Sequence, residues 1–118
     1  MDWTKPTTQM LGRFQPWHQG HTELFKRAIS KTGQVVILLR MQDGSKKDPW
    51  DFNQRSFHII HDLKKFGYLV EEHFIIIPVP NITHISYGRE VGYKIEKEHL
   101  NKEIESISAT EIRKNMKI

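Results

Sequence analysis

The chain has 118 residues and a mass of 14.0 kDa, with 37% hydrophobic and 27% charged side chains, which suits one compact domain over residues 1–118 and is too little for two. Cysteine is absent, which excludes a disulfide framework and a thiolate metal site and fits a reducing, cytoplasmic compartment. The net charge of +4 resides in the first half, where residues 1–59 hold nine Lys/Arg against five Asp/Glu and the basic side chains are scattered among apolar ones, a pattern that suits a pocket for a small polyanion as well as a nucleic-acid face.

Residues 1–5 lack the apolar run of a signal peptide, and the longest apolar run, Val35 to Leu39, is too short to span a bilayer, so a soluble protein with no membrane partner is expected. Thr7 to Phe14 predicts a first strand ending near Gly12, and Gln15-Pro16 then turns the chain away from helix. From Gln19 to Thr32, Leu24, Phe25, Ala28 and Ile29 recur at helical spacing, with Gly33 placed for a left-handed C-cap. Val35 to Leu39 has the continuous, β-branched character of a buried parallel strand. Residues 42–49 have the composition of a mobile loop, in which Lys46 and Lys47 are either solvated or able to close on phosphates.

Asp51, with Gln54 three residues on, predicts a capping box opening a second helix to about Phe66, with Phe52, Ile59, Ile60, Leu63 and Phe66 on its buried face and Gly67 ending it. Phe74 to Ile77, before Pro78, predicts a third strand, giving the order β-α-β-α-β. Residues 79–92 are expected to be irregular, Tyr93 to Leu100 to form a strand with outward charges, and Ser108 or Thr110 to cap a last helix through Met116.

The chemistry concentrates in Gly12-Arg13-Phe14-Gln15-Pro16-Trp17-His18-Gln19-Gly20-His21, at a strand-to-helix junction of the kind where parallel α/β sheets bind ligands. Gly12 and Gly20 would let backbone approach a ligand, the open N–H groups of the helix start favour an anion, and two imidazoles three residues apart can donate to phosphate oxygens. His58 and His61 repeat the spacing without the glycines, the strand junction or a third ligand, and read as ordinary helix residues. Trp17 and Trp50 read as pocket wall or core, and Tyr87-Gly88-Arg89 as either a turn or a substrate contact.

His18-Gln19-Gly20-His21 resembles the H-x-G-H signature of the nucleotidylyltransferase superfamily, and the longer string is most similar to the adenylyltransferases that act on nicotinamide mononucleotide. Ile107-Ser108-Ala109-Thr110-Glu111-Ile112-Arg113 resembles the family's I-S-x-T-x-I-R motif, and Asp48-Pro49-Trp50 with Arg55 resembles its D-P-F-x-x-x-x-R segment. The likeness stops between about Pro80 and Ser106, where longer members carry another helix and strand. Class I aminoacyl-tRNA synthetases share the His-x-Gly-His element, but here no K-M-S-K-S-like stretch follows.

The resemblance implies a small Rossmann-like parallel α/β sheet with helices on both faces. It further implies transfer of a nucleoside monophosphate from a nucleoside triphosphate to a small phosphate-bearing acceptor, with release of pyrophosphate. AMP is favoured by the G-R-F-Q-P string, whereas the short chain is nearer in length to the cytidylyltransferases that load glycerol phosphate. By resemblance, His18 and His21 hold the α- and β-phosphates, Gly12, Arg13, Phe14 and Gly20 contact the nucleotide, and Ile107, Ser108, Thr110 and Arg113 close over its phosphates. Arg55, Tyr87 and Arg89 are the candidate substrate contacts. Mg2+ is expected to ride on the triphosphate with no metal site of the protein's own, nucleic acid is not expected as a partner, and a homodimer is left open. A reading from a different class, a non-catalytic nucleotide- or nucleic-acid-binding module, is compatible with the +4 charge and is separated from the first by pyrophosphate release.

Overall fold

The computed structural model describes residues 1–41, 50–89, 92–98 and 100. The expected loop at 42–49 and the last helix lie outside them. The element order is β1 (Thr8–Gly12), α1 (Gln19–Thr32), β2 (Val35–Arg40), α2 (Phe52–Lys64) and β3 (Phe74–Val79), and the strands form one parallel sheet in the order β1-β2-β3. The register aligns Met10 with Ile37 and Ile76, and Gly12 with Leu39 and Pro78.

Local signals set the helix ends. Gly33 takes φ +80°, where a Cβ is disfavoured, and its N–H closes α1 on the Ile29 carbonyl at 2.7 Å. Asp51 and Gln54 exchange the two bonds of a capping box at 2.8 and 2.9 Å. At the other end of α2, Tyr68 N–H reaches Leu63 O and Gly67 N–H reaches Lys64 O, the paired bonds of a Schellman closure.

Met10 of β1, Val35, Ile37 and Leu39 of β2, and Phe74 with Ile76 of β3 share one sheet face with Phe25 and Ala28 of α1 and Ile59 and Leu63 of α2. Burying each large apolar side chain of this set contributes about 1.5–3 kcal/mol relative to exposure. Both α1 and α2 therefore cover the same face, and the expected covering of the other face lies outside the described residues. Two right-handed crossovers stepping in one direction, β1 to β2 to β3, return to the same side.

The sheet departs from expectation at its edges. β2 runs one residue further, through Arg40, and β3 continues through Pro78, tolerated because β3 is an edge strand and needs no outward donor there. Phe66 lies beyond α2 and is 52% exposed, with Lys26 Nζ 4.5 Å from its ring centre, so it does not join the buried face. Residues 80–89 are irregular, as expected, but residues 93–98 form no strand. Glu96 and Glu98 instead converge on Lys31 near the end of α1, which places this segment beside a helix rather than along a sheet edge.

Candidate active site

β1 delivers the chain at Gly12 to a tight turn built from its own aromatic rings. Phe14 sits at φ +52°, an uncommon conformation for a bulky residue, and its ring folds back so that a Cβ on Gly12 would lie 2.9 Å from it. The Phe14 ring by itself therefore requires glycine at position 12. The Phe14 ring meets Trp17 at 5.0 Å and the edge of His21 at 4.9 Å. Trp17 is buried as wall, its indole N–H donating to Thr22 Oγ1 at 2.8 Å.

His18 and His21 occupy the N-cap and third positions of α1 and are stacked, with ring centres 3.7 Å apart. His18 Nδ1 accepts from Gly20 N–H at 3.0 Å, and His21 Nδ1 accepts from His18 N–H at 3.1 Å. A nitrogen that accepts carries no proton, so each neutral ring holds its hydrogen on Nε2. The two rings thereby cap the helix with one nitrogen and keep a donor on the other. Burial lowers the His18 pKa, and burial followed by the charge of His18 lowers that of His21 from 6.5 to about 3, so the donors are uncharged near neutrality.

This depression has a consequence for stability. Unfolded His21 binds a proton below about 6.5 and folded His21 only near 3, so its contribution is complete above 6.5 and is lost as pH falls toward 3. The thermal midpoint is expected to fall between pH 7 and pH 5, and His21→Gln, with no imidazole to charge, should show a smaller fall. Equal falls in the two proteins, measured by circular dichroism, would contradict this assignment.

Arg55 is 1% exposed and clamps the turn from behind. Its NH1 donates to Arg13 O at 3.1 Å and to Arg40 O at 2.7 Å, and its Nε to Asp51 O at 3.3 Å. Gln15 Oε1 accepts from Trp50 N–H at 3.1 Å, which ties the same turn to the start of α2. The structure therefore joins Gly12, Arg13, Phe14, His18, Gly20, His21 and Arg55 at the carboxyl end of the sheet. Tyr87, 55% exposed, and Arg89 lie on the irregular stretch after β3, with no hydrogen bond or ring contact to this cluster among the described residues. Ile107, Ser108, Thr110 and Arg113 fall outside the described residues. Sequence reasoning overlooked Arg40, although a basic residue ending a buried parallel strand is a legible signal.

Among the described residues no group of three His, Cys, Asp or Glu could hold a metal ion, and no helix is long and apolar enough to cross a membrane. His58 and His61 pack on Trp50 and Phe57, with ring centres 5.0 and 5.9 Å apart. His58→Ala and His61→Ala are expected to change neither metal content, by elemental analysis, nor turnover. Stoichiometric zinc lost in either variant would contradict this.

The family model described as cytidylyltransferase-like matches residues 10–79, more than half of the chain, from within β1 to the end of β3. The chain belongs to the cytidylyltransferase-like family. It is 35% identical to the nicotinamide-nucleotide adenylyltransferase of Caldivirga maquilingensis, in a match spanning 63% of this chain and 42% of that protein. With the enzyme of the same name from Pyrococcus horikoshii it shares 26% identity over 90% of this chain and 70% of the relative. A crystal structure of a bifunctional NMN adenylyltransferase/ADP ribose pyrophosphatase from Francisella tularensis, complexed with AMP and a manganese ion, aligns with a TM-score of 0.58 at 26% identity, covering 65% of this chain and 23% of that one. Membership in the cytidylyltransferase-like family places the His18–His21 turn inside the matched span and leaves residues 80–118 beyond it.

Proposed function

We propose that this protein transfers AMP from ATP to the phosphate of nicotinamide mononucleotide, releasing pyrophosphate. The observation that carries the reading is the stacked His18–His21 pair at the start of α1, each ring held as an Nε2–H donor at the carboxyl end of a parallel sheet. Relatives named as adenylyltransferases support AMP as the transferred group over CMP.

In this reaction an acceptor phosphate oxygen forms a bond to the α-phosphorus while the bond from that phosphorus to the α,β-bridging oxygen breaks, and pyrophosphate leaves with the electron pair. The acceptor phosphate is already ionised near neutrality and needs no base. With Nδ1 engaged and Nε2 protonated, neither histidine has a free lone pair to serve as one. They act as donors to phosphoryl oxygens, where uncharged N–H groups fixed in advance stabilise developing charge without reorganising. Arg13 and the turn around Gly12 to Phe14 line the nucleotide, Arg113 with Ser108 and Thr110 receives the leaving pyrophosphate, and Tyr87 and Arg89 face substrate. Mg2+ enters as part of the triphosphate substrate. A cysteine-free chain acting on ATP suits the cytoplasm.

Pyrophosphate release tests the reading directly. ATP with nicotinamide mononucleotide should give turnover well above CTP with glycerol phosphate. Release from the CTP pair alone would reassign the reaction to cytidylyl transfer, and release from neither would favour a binding module.

A further inference from the structure

Arg40 ends the central strand at the place where open parallel sheets receive ligands, one residue beyond the Gly12–Leu39 pair. Its carbonyl and that of Arg13 share a single donor, NH1 of Arg55, so Arg40 stands directly beside the turn that leads to the histidines. Alternation along β2 buries Val35, Ile37 and Leu39 under the helices and sends Arg40 to the opposite face, toward the chain leaving β3. There its guanidinium makes one long bond, NH1 to Ile82 O at 3.3 Å, while Nε is buried with no hydrogen-bond partner among the described residues. Among those residues no carboxylate pairs with it.

A guanidinium has five donors, and leaving them unused in a partly dehydrated site is unfavourable unless an anion takes them up. The triphosphate already has its donors at the β1–α1 turn. Arg40 lies one strand over, its guanidinium turned toward the chain leaving β3 rather than toward α1, so it approaches the site from a different side than the histidines and is placed for the group that attacks the same phosphorus. We propose that Arg40 anchors the phosphate of the acceptor and thereby selects phosphate-bearing acceptors. This rests on the transfer reaction proposed above. The planar fork of arginine suits two phosphate oxygens at once and leaves the third to attack.

Calorimetric titration with nicotinamide mononucleotide, nicotinamide riboside and ATP tests the assignment on the wild type, Arg40→Gln and Arg40→Lys. The wild type should prefer the mononucleotide over the riboside by at least about tenfold, the worth of one charge-assisted contact. Arg40→Gln should lose that preference while its affinity for the riboside and for ATP stays unchanged, and Arg40→Lys should regain part of it. If Arg40→Gln does not fold, the Arg40→Lys titration decides, since loss of the planar fork alone should narrow the preference. An undiminished preference in the variants overturns the proposal, as does a loss falling equally on ATP, which would assign Arg40 to the triphosphate. A wild type that shows the Arg40-dependent preference but releases no pyrophosphate leaves the anchor standing and overturns the transfer reaction. A wild type that releases pyrophosphate with an unaltered KM for the mononucleotide in the variants does the reverse.

Discussion

His18→Asn and His21→Asn should each fold like the wild type and lose at least about a hundredfold in turnover, the loss typical of removing one donor to a transition-state oxyanion. Asparagine places its amide oxygen near the position of Nδ1 and nothing at the position of Nε2. The bonds from Gly20 N–H to residue 18 and from the residue 18 N–H to residue 21 can therefore persist, and asparagine is itself a favoured N-cap. The donor alone is lost. Alanine at either position removes both functions and should add roughly 0.5–2 kcal/mol of destabilisation from the broken cap. Pyrophosphate release alongside thermal denaturation separates the two roles. Asparagine variants that keep turnover near that of the wild type would reduce the pair to a helix cap.

Arg55→Met should destabilise the protein severely, by about 3 kcal/mol or more, because the part-buried carbonyls of Arg13 and Arg40 lose the same donor and each unsatisfied acceptor costs about 1–3 kcal/mol. For a chain of this length that corresponds to a fall of roughly 10 °C or more in the thermal midpoint. Arg55→Lys should recover little, since a single ammonium cannot reproduce a fork that reaches three segments. The likeness to the family's D-P-F-x-x-x-x-R segment assigns this arginine to substrate orientation and predicts a raised KM at unchanged stability. Chemical denaturation together with KM for both substrates distinguishes these outcomes, and an Arg55→Met protein as stable as the wild type would refute the clamp.

Much of the architecture was legible in the chain because its signals act over a few residues. Gly33 after an apolar helical stripe, Asp51 three residues before Gln54, and the unbroken Val35 to Leu39 run each specify a local conformation, and the structure places α1 at Gln19–Thr32 and the α2 cap at Asp51 accordingly. The histidine pair was legible for the same reason, as two side chains one helical turn apart at a strand-to-helix junction.

What the chain could not disclose depends on partners distant in sequence. Arg55 begins the buried stripe continued by Ile59 and Leu63, a place where a charge reads as an exception, and only the assembled sheet supplies the carbonyls, 15 and 42 residues away, that make its burial tolerable. Residues 93–98 have strand-like alternation, yet Lys31 draws Glu96 and Glu98 to α1, and no strand among the described residues pairs with them. The position of Arg40 beside the Gly12 turn likewise follows from register between strands. Local conformation is written in neighbouring residues, whereas the satisfaction of buried polar groups is decided where separate segments meet, and the tertiary structure alone brings those segments together.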